Sequence, residues 1–301
     1  MDQVVEVLDC EMQCTNPVRI RVEPKVKTYK TILKYPDGLE VPCGKCLACR
    51  ISKRREWKLR MLHELNYHED ACFITLTYSD KHLPPNNSLV KRDLQLFFKR
   101  LRKAYPVKIK YFACGEYGEQ TERPHYHAIL FGIGLKADHK QYIIDAWPFC
   151  DWSVRSIKQN SFGMAEPDSI GYVAGYIDKK YSGELAEVEY QSKGREPVFK
   201  LASNGIGLSF LLDNSDDLAR DLCLRHQGRV YSLPRYYVKK LGIDTAVNAD
   251  RAIENDCKIV ENYTGLYITS DDLYKAGLPK ENKVLIEGVK RAKSQHRRNL
   301  E

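Results

Sequence analysis

The run Pro124-His125-Tyr126-His127-Ala128-Ile129-Leu130-Phe131-Gly132 constrains this chain more than any other stretch of it. It reads as a strand, and in a strand alternate side chains share a face, so His125 and His127 point the same way about two strand rises apart. That spacing lets two imidazoles reach one divalent metal ion. Setting two imidazoles beside Ile129 and Phe131 is costly unless each has a partner. Two other readings compete: a pair of hydrogen-bonded core histidines, and a strand edge where both rings reach water. The neighbouring motifs have to decide.

A chain of 301 residues suits one large domain or two modest ones. No run is long and apolar enough for a membrane span, and the opening Met1-Asp2-Gln3 is not that of a signal peptide. The net charge of +8 hints at a polyanionic partner, and the clustering says more than the total. Lys45, Arg50, Lys53, Arg54, Arg55, Lys58 and Arg60 face a single acidic residue, Glu56, and a second basic run holds Lys283, Lys290, Arg291, Lys293, Arg297 and Arg298. Such runs are solvated helix faces or phosphate contacts; Arg50, Lys53, Arg54 and Arg55 are the candidates for nucleic-acid binding.

Ten cysteines in a chain read as unsecreted argue for reduced thiols. Cys72 and Cys114 lie in strand-like runs as small core residues. Cys43-Gly-Lys-Cys46-Leu-Ala-Cys49 has the tight spacing that aims thiolates at a common point, half of a structural zinc pattern. The fourth ligand has to come from elsewhere, and Cys14 or Cys10 can supply it. Buried or incidental thiols are the alternative.

Along the chain, Lys25–Tyr35 partly alternates, and a helix follows the cysteines with its apolar stripe clean from Trp57. Then come a strand at Cys72–Tyr78, an amphipathic helix near Lys91–Tyr105, a strand at Val107–Cys114, a polar loop at Gly115–Arg123 and the histidine strand. A helix near Ala137–Trp147, a strand near Trp152–Ile157 and a helix near Asp168–Tyr181 complete the unit. This order resembles the ferredoxin-like plan: an α+β fold, an antiparallel sheet with helices on one face. The division expected is a cysteine-rich N-terminal region over 1–68, a core over 69–185 and a mainly helical accessory region over 186–301, with a loop up to about Asn214.

In the last core helix, Ile170, Val173, Ala174 and Ile177 form one stripe, and Tyr172, Tyr176 and Lys179 form a second, roughly opposite. Asp168 can cap its start and Gly183 can close it. A tyrosine face of this kind is either a solvated or interface surface or a reactive one. Gly171 and Gly175 allow a close approach by another backbone or a DNA strand, or tight packing on the sheet. A phenol is a weak nucleophile at neutral pH and becomes useful beside a cation or when a metal polarises the group under attack. A histidine pair on a strand and tyrosines beside Lys179 therefore suggest phosphoryl transfer to tyrosine.

With these motifs in order (Phe73-Ile-Thr-Leu-Thr-Tyr78, His125-Tyr-His127, Tyr172-Val-Ala-Gly-Tyr176-Ile-Asp-Lys179), the chain resembles the rolling-circle replication initiators of Microviridae, within the HUH endonucleases. Pro42-Cys43-Gly-Lys-Cys46-Leu-Ala-Cys49-Arg50 and Leu233-Pro234-Arg235-Tyr236-Tyr237 resemble the gokushovirus branch. The resemblance implies nicking of an origin strand by tyrosine, a 5′-phosphotyrosyl link, a free 3′-OH for priming, and religation without ATP. It also implies Mg²⁺ or Mn²⁺, a single-stranded origin DNA, the helicase and polymerase of a bacterial host, and residence in the host cytoplasm. Related nucleases take a third metal ligand from a carboxylate before the histidines, which implies Glu116, with Glu119 as runner-up. Better-known members place a lysine three residues after each tyrosine; here Gly175 follows Tyr172 and only Tyr176 keeps its partner, Lys179, making Tyr176 the expected nucleophile. Histidine-triad hydrolases need a further histidine where this chain has Ile129. The remaining rival is a non-catalytic, zinc-stabilised DNA- or RNA-binding protein.

Overall fold

Alternating burial along the first strand of the core sets the two faces of its sheet. The computed structural model describes residues 14–20, 39–177, 186–226, 229–243 and 261. In chain order the elements that build the core are helix α1 (Leu47–Leu65), strand β1 (Ala71–Thr77), α2 (Lys91–Ala104), β2 (Lys110–Tyr117) and β3 (Pro124–Phe131). They continue with α3 (Ala137–Ala146), α4 (Arg155–Asn160), β4 (Phe162–Met164), α5 (Pro167–Gly175), β5 (Lys200–Ala202) and α6 (Leu208–Asp213). The strands form one sheet in the order β4-β1-β3-β2-β5 with every neighbouring pair antiparallel, the α+β plan expected.

Cys72, Ile74 and Leu76 of β1, Ala113 of β2 and Tyr126, Ala128 and Leu130 of β3 are buried on one face. There they meet Leu94, Phe97, Phe98 and Leu101 of α2 and Ile143 and Ala146 of α3, the apolar stripes that the sequence periodicity marks. The opposite face carries Phe112, Cys114, Ile129 and Phe131, and Met61 and Leu62 of α1 and Ile170, Val173 and Ala174 of α5 pack on it. The helices that follow the ferredoxin-like plan, α2 and α3, thus share a face, while α1 and α5 cover the other face beside the histidines.

Three local expectations change. Trp152–Ile157 is not a strand: Asp151 accepts hydrogen bonds from the amide and hydroxyl of Ser153, a turn that starts α4, and the edge strand comes later at β4. The segment read as a loop to Asn214 contains β5, which pairs with β2. The last core helix ends at Gly175 rather than near Tyr181, and its first turn is closed by the Glu166 amide donating to the Ser169 hydroxyl, with Asp168 inside that turn. Lys179 and Gly183, the Lys25–Tyr35 stretch and the second basic run lie outside the described residues.

The chain falls into two units, one within Lys53–Asp213 and one within Met1–Ser52 and Asn214–Glu301. The second holds two short antiparallel pairs, Val18–Ile20 with Leu39–Val41 and Cys223–His226 with Arg229–Ser232. It also holds a short helix, Arg235–Lys240, of which Tyr237 is buried.

Candidate metal and tyrosine site

Strand pairing brings Glu116 to the histidines. The expected loop at Gly115–Arg123 is shorter than the sequence suggests, because β2 runs on to Tyr117 and Glu116 stands directly opposite His125 in the register. Its carboxylate Oε2 is 3.2 Å from His125 Nε2 and 3.4 Å from His127 Nε2. Glu116 is 7% exposed and His127 5%, so this is a buried carboxylate and not a solvated one.

The far side of each ring fixes its orientation. His125 Nδ1 lies 3.1 Å from the Arg123 carbonyl oxygen, which can only accept, so Nδ1 donates and Nε2 offers a lone pair. His127 Nδ1 lies 3.0 Å from Thr75 Oγ1, a hydroxyl placed opposite it in the β1–β3 register, and the same assignment applies. The donor atoms of Glu116, His125 and His127 all lie within 4.8 Å of one another. Two imidazole lone pairs and a carboxylate oxygen converging in a buried place repel each other unless a cation sits among them. A carboxylate with two outer-bonded imidazoles fits a divalent ion.

Both tyrosines reach the same imidazole. Tyr176 stacks flat on His127, with centroids 5.1 Å apart and 6° between planes, and Tyr172 meets His127 edge-on at 5.3 Å. Phe73 closes the cluster, stacked on His127 at 5.6 Å and edge-on to Tyr172. The tyrosine stripe is therefore not turned away from the sheet. Tyr172 is 53% exposed, but Tyr176 is 6% exposed and belongs to the apolar cluster under α5. Burial, and then hydrogen bonds of its hydroxyl with Glu116 and Tyr172, push the Tyr176 phenol well above its ordinary range. Tyr172 is open to solvent and Tyr176 is held protonated against the carboxylate.

Other residues separate from this cluster or join it unannounced. Arg50, Lys53, Arg54 and Arg55 all lie on α1. Lys58 of α1 passes over Gly171, where a Cβ would stand 3.3 Å from its Nζ, whereas a Cβ at Gly175 would meet nothing within 4 Å. Cys43, Cys46, Cys49 and Cys14 form a second group of converging donors. Sequence reasoning does not single out Lys200. Its register partner Cys114 places it on the histidine face, its Nζ is 4.1 Å from the Trp57 ring centroid, and burial, then Lys53 and Arg60, pull its ammonium down to about 8. Its own surroundings, Val198-Phe-Lys-Leu-Ala202, carry no signal; only the β2–β5 pairing shows which face it joins.

Comparison with known proteins agrees with this geometry. The family model for the replication-associated protein ORF2 matches residues 71–181, which include the histidine strand and both tyrosines. The chain is 30% identical over 236 residues to replication-associated protein ORF2 of Spiroplasma virus 4, covering 72% of each. It is 29% identical over 244 residues to replication-associated protein VP4 of Bdellovibrio phage phiMH2K, covering 75% of this chain and 76% of that one. It is also 30% identical over 211 residues to replication-associated protein ORF4 of Chlamydia phage 1, covering 65% of this chain and 52% of that one. No solved structure matches.

Proposed function

The chain belongs to the replication-associated protein ORF2 family, and on that premise we propose that it initiates phage DNA replication by nicking an origin strand with a tyrosine. The observation that carries the reading is the meeting of Glu116, His125 and His127 with Tyr172 and Tyr176 at one imidazole. Glu116, His125 and His127 would hold Mg²⁺ or Mn²⁺, whose chemistry there is to offset charge on the scissile phosphate.

The protein's own groups account for the rest. A tyrosine oxygen attacks the phosphorus and forms a phosphotyrosyl ester, the P–O3′ bond breaks, and the 3′ oxygen takes up a proton as the phenol loses its own. Because one ester replaces another, the link keeps the energy that religation needs. Tyr172 is exposed beside His127, which favours it for the first attack. Tyr176, bonded to Glu116, is suited to the second attack once that carboxylate engages a cation. Lys200 on the same face, and Lys53, Arg54 and Arg55 on α1, supply cations for the DNA backbone. Lys179 keeps the role that its spacing from Tyr176 gives it. Helicase and polymerase of the host would then extend the free 3′-OH in the cytoplasm. No described helix is long and apolar enough to cross a membrane.

The test is incubation with a single-stranded origin oligonucleotide and Mn²⁺, read as a covalent protein–DNA band and as a modified tryptic peptide. The adduct is expected on Tyr172 or Tyr176 and should vanish when His125 and His127 are both alanine. An adduct that survives that double substitution overturns the metal-site reading. Tight DNA binding with no cleavage under any divalent ion favours the non-catalytic binder.

A further inference from the structure

The second group of converging donors lies wholly within the unit that contains residues 1–52. Four sulfurs, those of Cys14, Cys43, Cys46 and Cys49, lie within 4.8 Å of one another. Cys46 Sγ is 3.7 Å from Cys14 Sγ, and Cys43 Sγ is 4.0 Å from Cys49 Sγ. All four are free thiols. A disulfide would bring two sulfurs to about 2.05 Å. Sulfurs at the corners of a tetrahedron with zinc–sulfur bonds of about 2.3 Å stand roughly 3.8 Å apart. The observed separations bracket that edge length.

The backbone is arranged for thiolates. Cys43 N–H donates to Cys14 Sγ at 3.2 Å, and the amides of Lys45 and Cys46 donate to Cys43 Sγ at 3.4 and 3.3 Å. Gly44, with φ of +72°, makes the turn that aims both following amides at one sulfur. Cys49 sits in the first turn of α1, where unpaired amides and the positive end of the helix dipole favour negative charge.

We infer that Cys14, Cys43, Cys46 and Cys49 bind one Zn²⁺ in a closed structural site. Four thiolates fill the tetrahedron and leave no position for water or substrate, so the site does no chemistry. Its work is to fasten the 14–20 segment to the turn that starts α1, the helix carrying Arg50, Lys53, Arg54 and Arg55. Soft sulfur donors select zinc where the carboxylate and imidazoles of the other site suit harder ions, so each site takes its own metal. This inference stands apart from the nicking reading, which rests on other residues and other donors.

The test uses the full chain, purified without added metal. Elemental analysis is expected to return one zinc per chain, unchanged in the His125→Ala/His127→Ala variant and lost in Cys43→Ser/Cys46→Ser. In the wild type, N-ethylmaleimide read by peptide mass should label these four cysteines on the order of tenfold more slowly than after zinc is stripped with a chelator. Cys49→His, which keeps a permitted ligand set, should retain zinc even if the double serine variant fails to fold. Iron in place of zinc, no stoichiometric metal, zinc retained by a folded double serine variant, or equal labelling with and without chelator would each overturn the inference.

Discussion

Tyr176 lies face to face with His127, its ring 5.1 Å away and its hydroxyl bonded to Glu116. One tyrosine thus touches two of the three candidate metal ligands, while its neighbour one turn earlier, Tyr172, touches His127 from the solvent side. The pair is unequal in access although it is equal in sequence.

That inequality predicts which tyrosine acts first. The first covalent adduct should map to Tyr172, and Tyr172→Phe should cut its formation about a hundredfold or more. Tyr176→Phe keeps the ring stack and should leave the first adduct within about tenfold. A first adduct mapping to Tyr176 would instead support the order implied by its spacing from Lys179.

Thr75 orients His127 from behind, through the 3.0 Å contact between its hydroxyl and Nδ1. Thr75→Val keeps the shape and removes the hydroxyl. The Mn²⁺ concentration for half-maximal adduct should rise about 10–100-fold, the usual effect of losing an outer partner of a ligating histidine. The melting temperature without metal should barely change.

Glu64 tests the core away from the site. It is 1% exposed and accepts hydrogen bonds from His68 Nε2, Lys110 Nζ and the Gly207 amide, each at 2.7 Å. Burial works to raise its pKa, but His68, Lys110 and Gly207 outweigh it and hold the carboxyl below its usual range. Glu64→Gln should cost about 2–4 kcal/mol at neutral pH. Because the folded-state pKa is depressed, the contribution is full above the unfolded value of about 4.3 and is lost as pH falls through the folded one. Melting curves of the two proteins should therefore converge below about pH 4.

Two glycines should respond in opposite directions. Gly132, at the end of the histidine strand, has φ of +92°, and a Cβ there would stand 2.8 Å from the Lys108 carbonyl oxygen. Gly132→Ala should destabilise by about 1–3 kcal/mol. Gly175 ends α5 with open space around it, so Gly175→Ala should stabilise by up to about 1 kcal/mol. Thermal melts in the absence of metal separate the two.

Strand periodicity alone placed His125 and His127 on one face, and the ordered motifs carried the family resemblance, because spacing along a strand or helix is a local property. The same local rules put Leu94, Phe97 and Leu101 toward the core, where they are buried. Glu116 shows where such rules end. Its sequence surroundings are polar and loop-like, and only hydrogen bonding to β3 extends the strand far enough to bury it opposite His125. Helical spacing likewise turned Tyr172 and Tyr176 away from the apolar stripe; their unequal burial came from where α5 lands on the sheet and from the helix ending at Gly175. Cys14 is 29 residues from Cys43, and Lys200 is 86 from Cys114, separations across which no local pattern operates. What the sequence determined by itself was the inventory of chemistry and the face of each element that carries it. Which elements meet, at what register and how deeply, was decided by tertiary packing, because pairing and burial depend on partners distant along the chain.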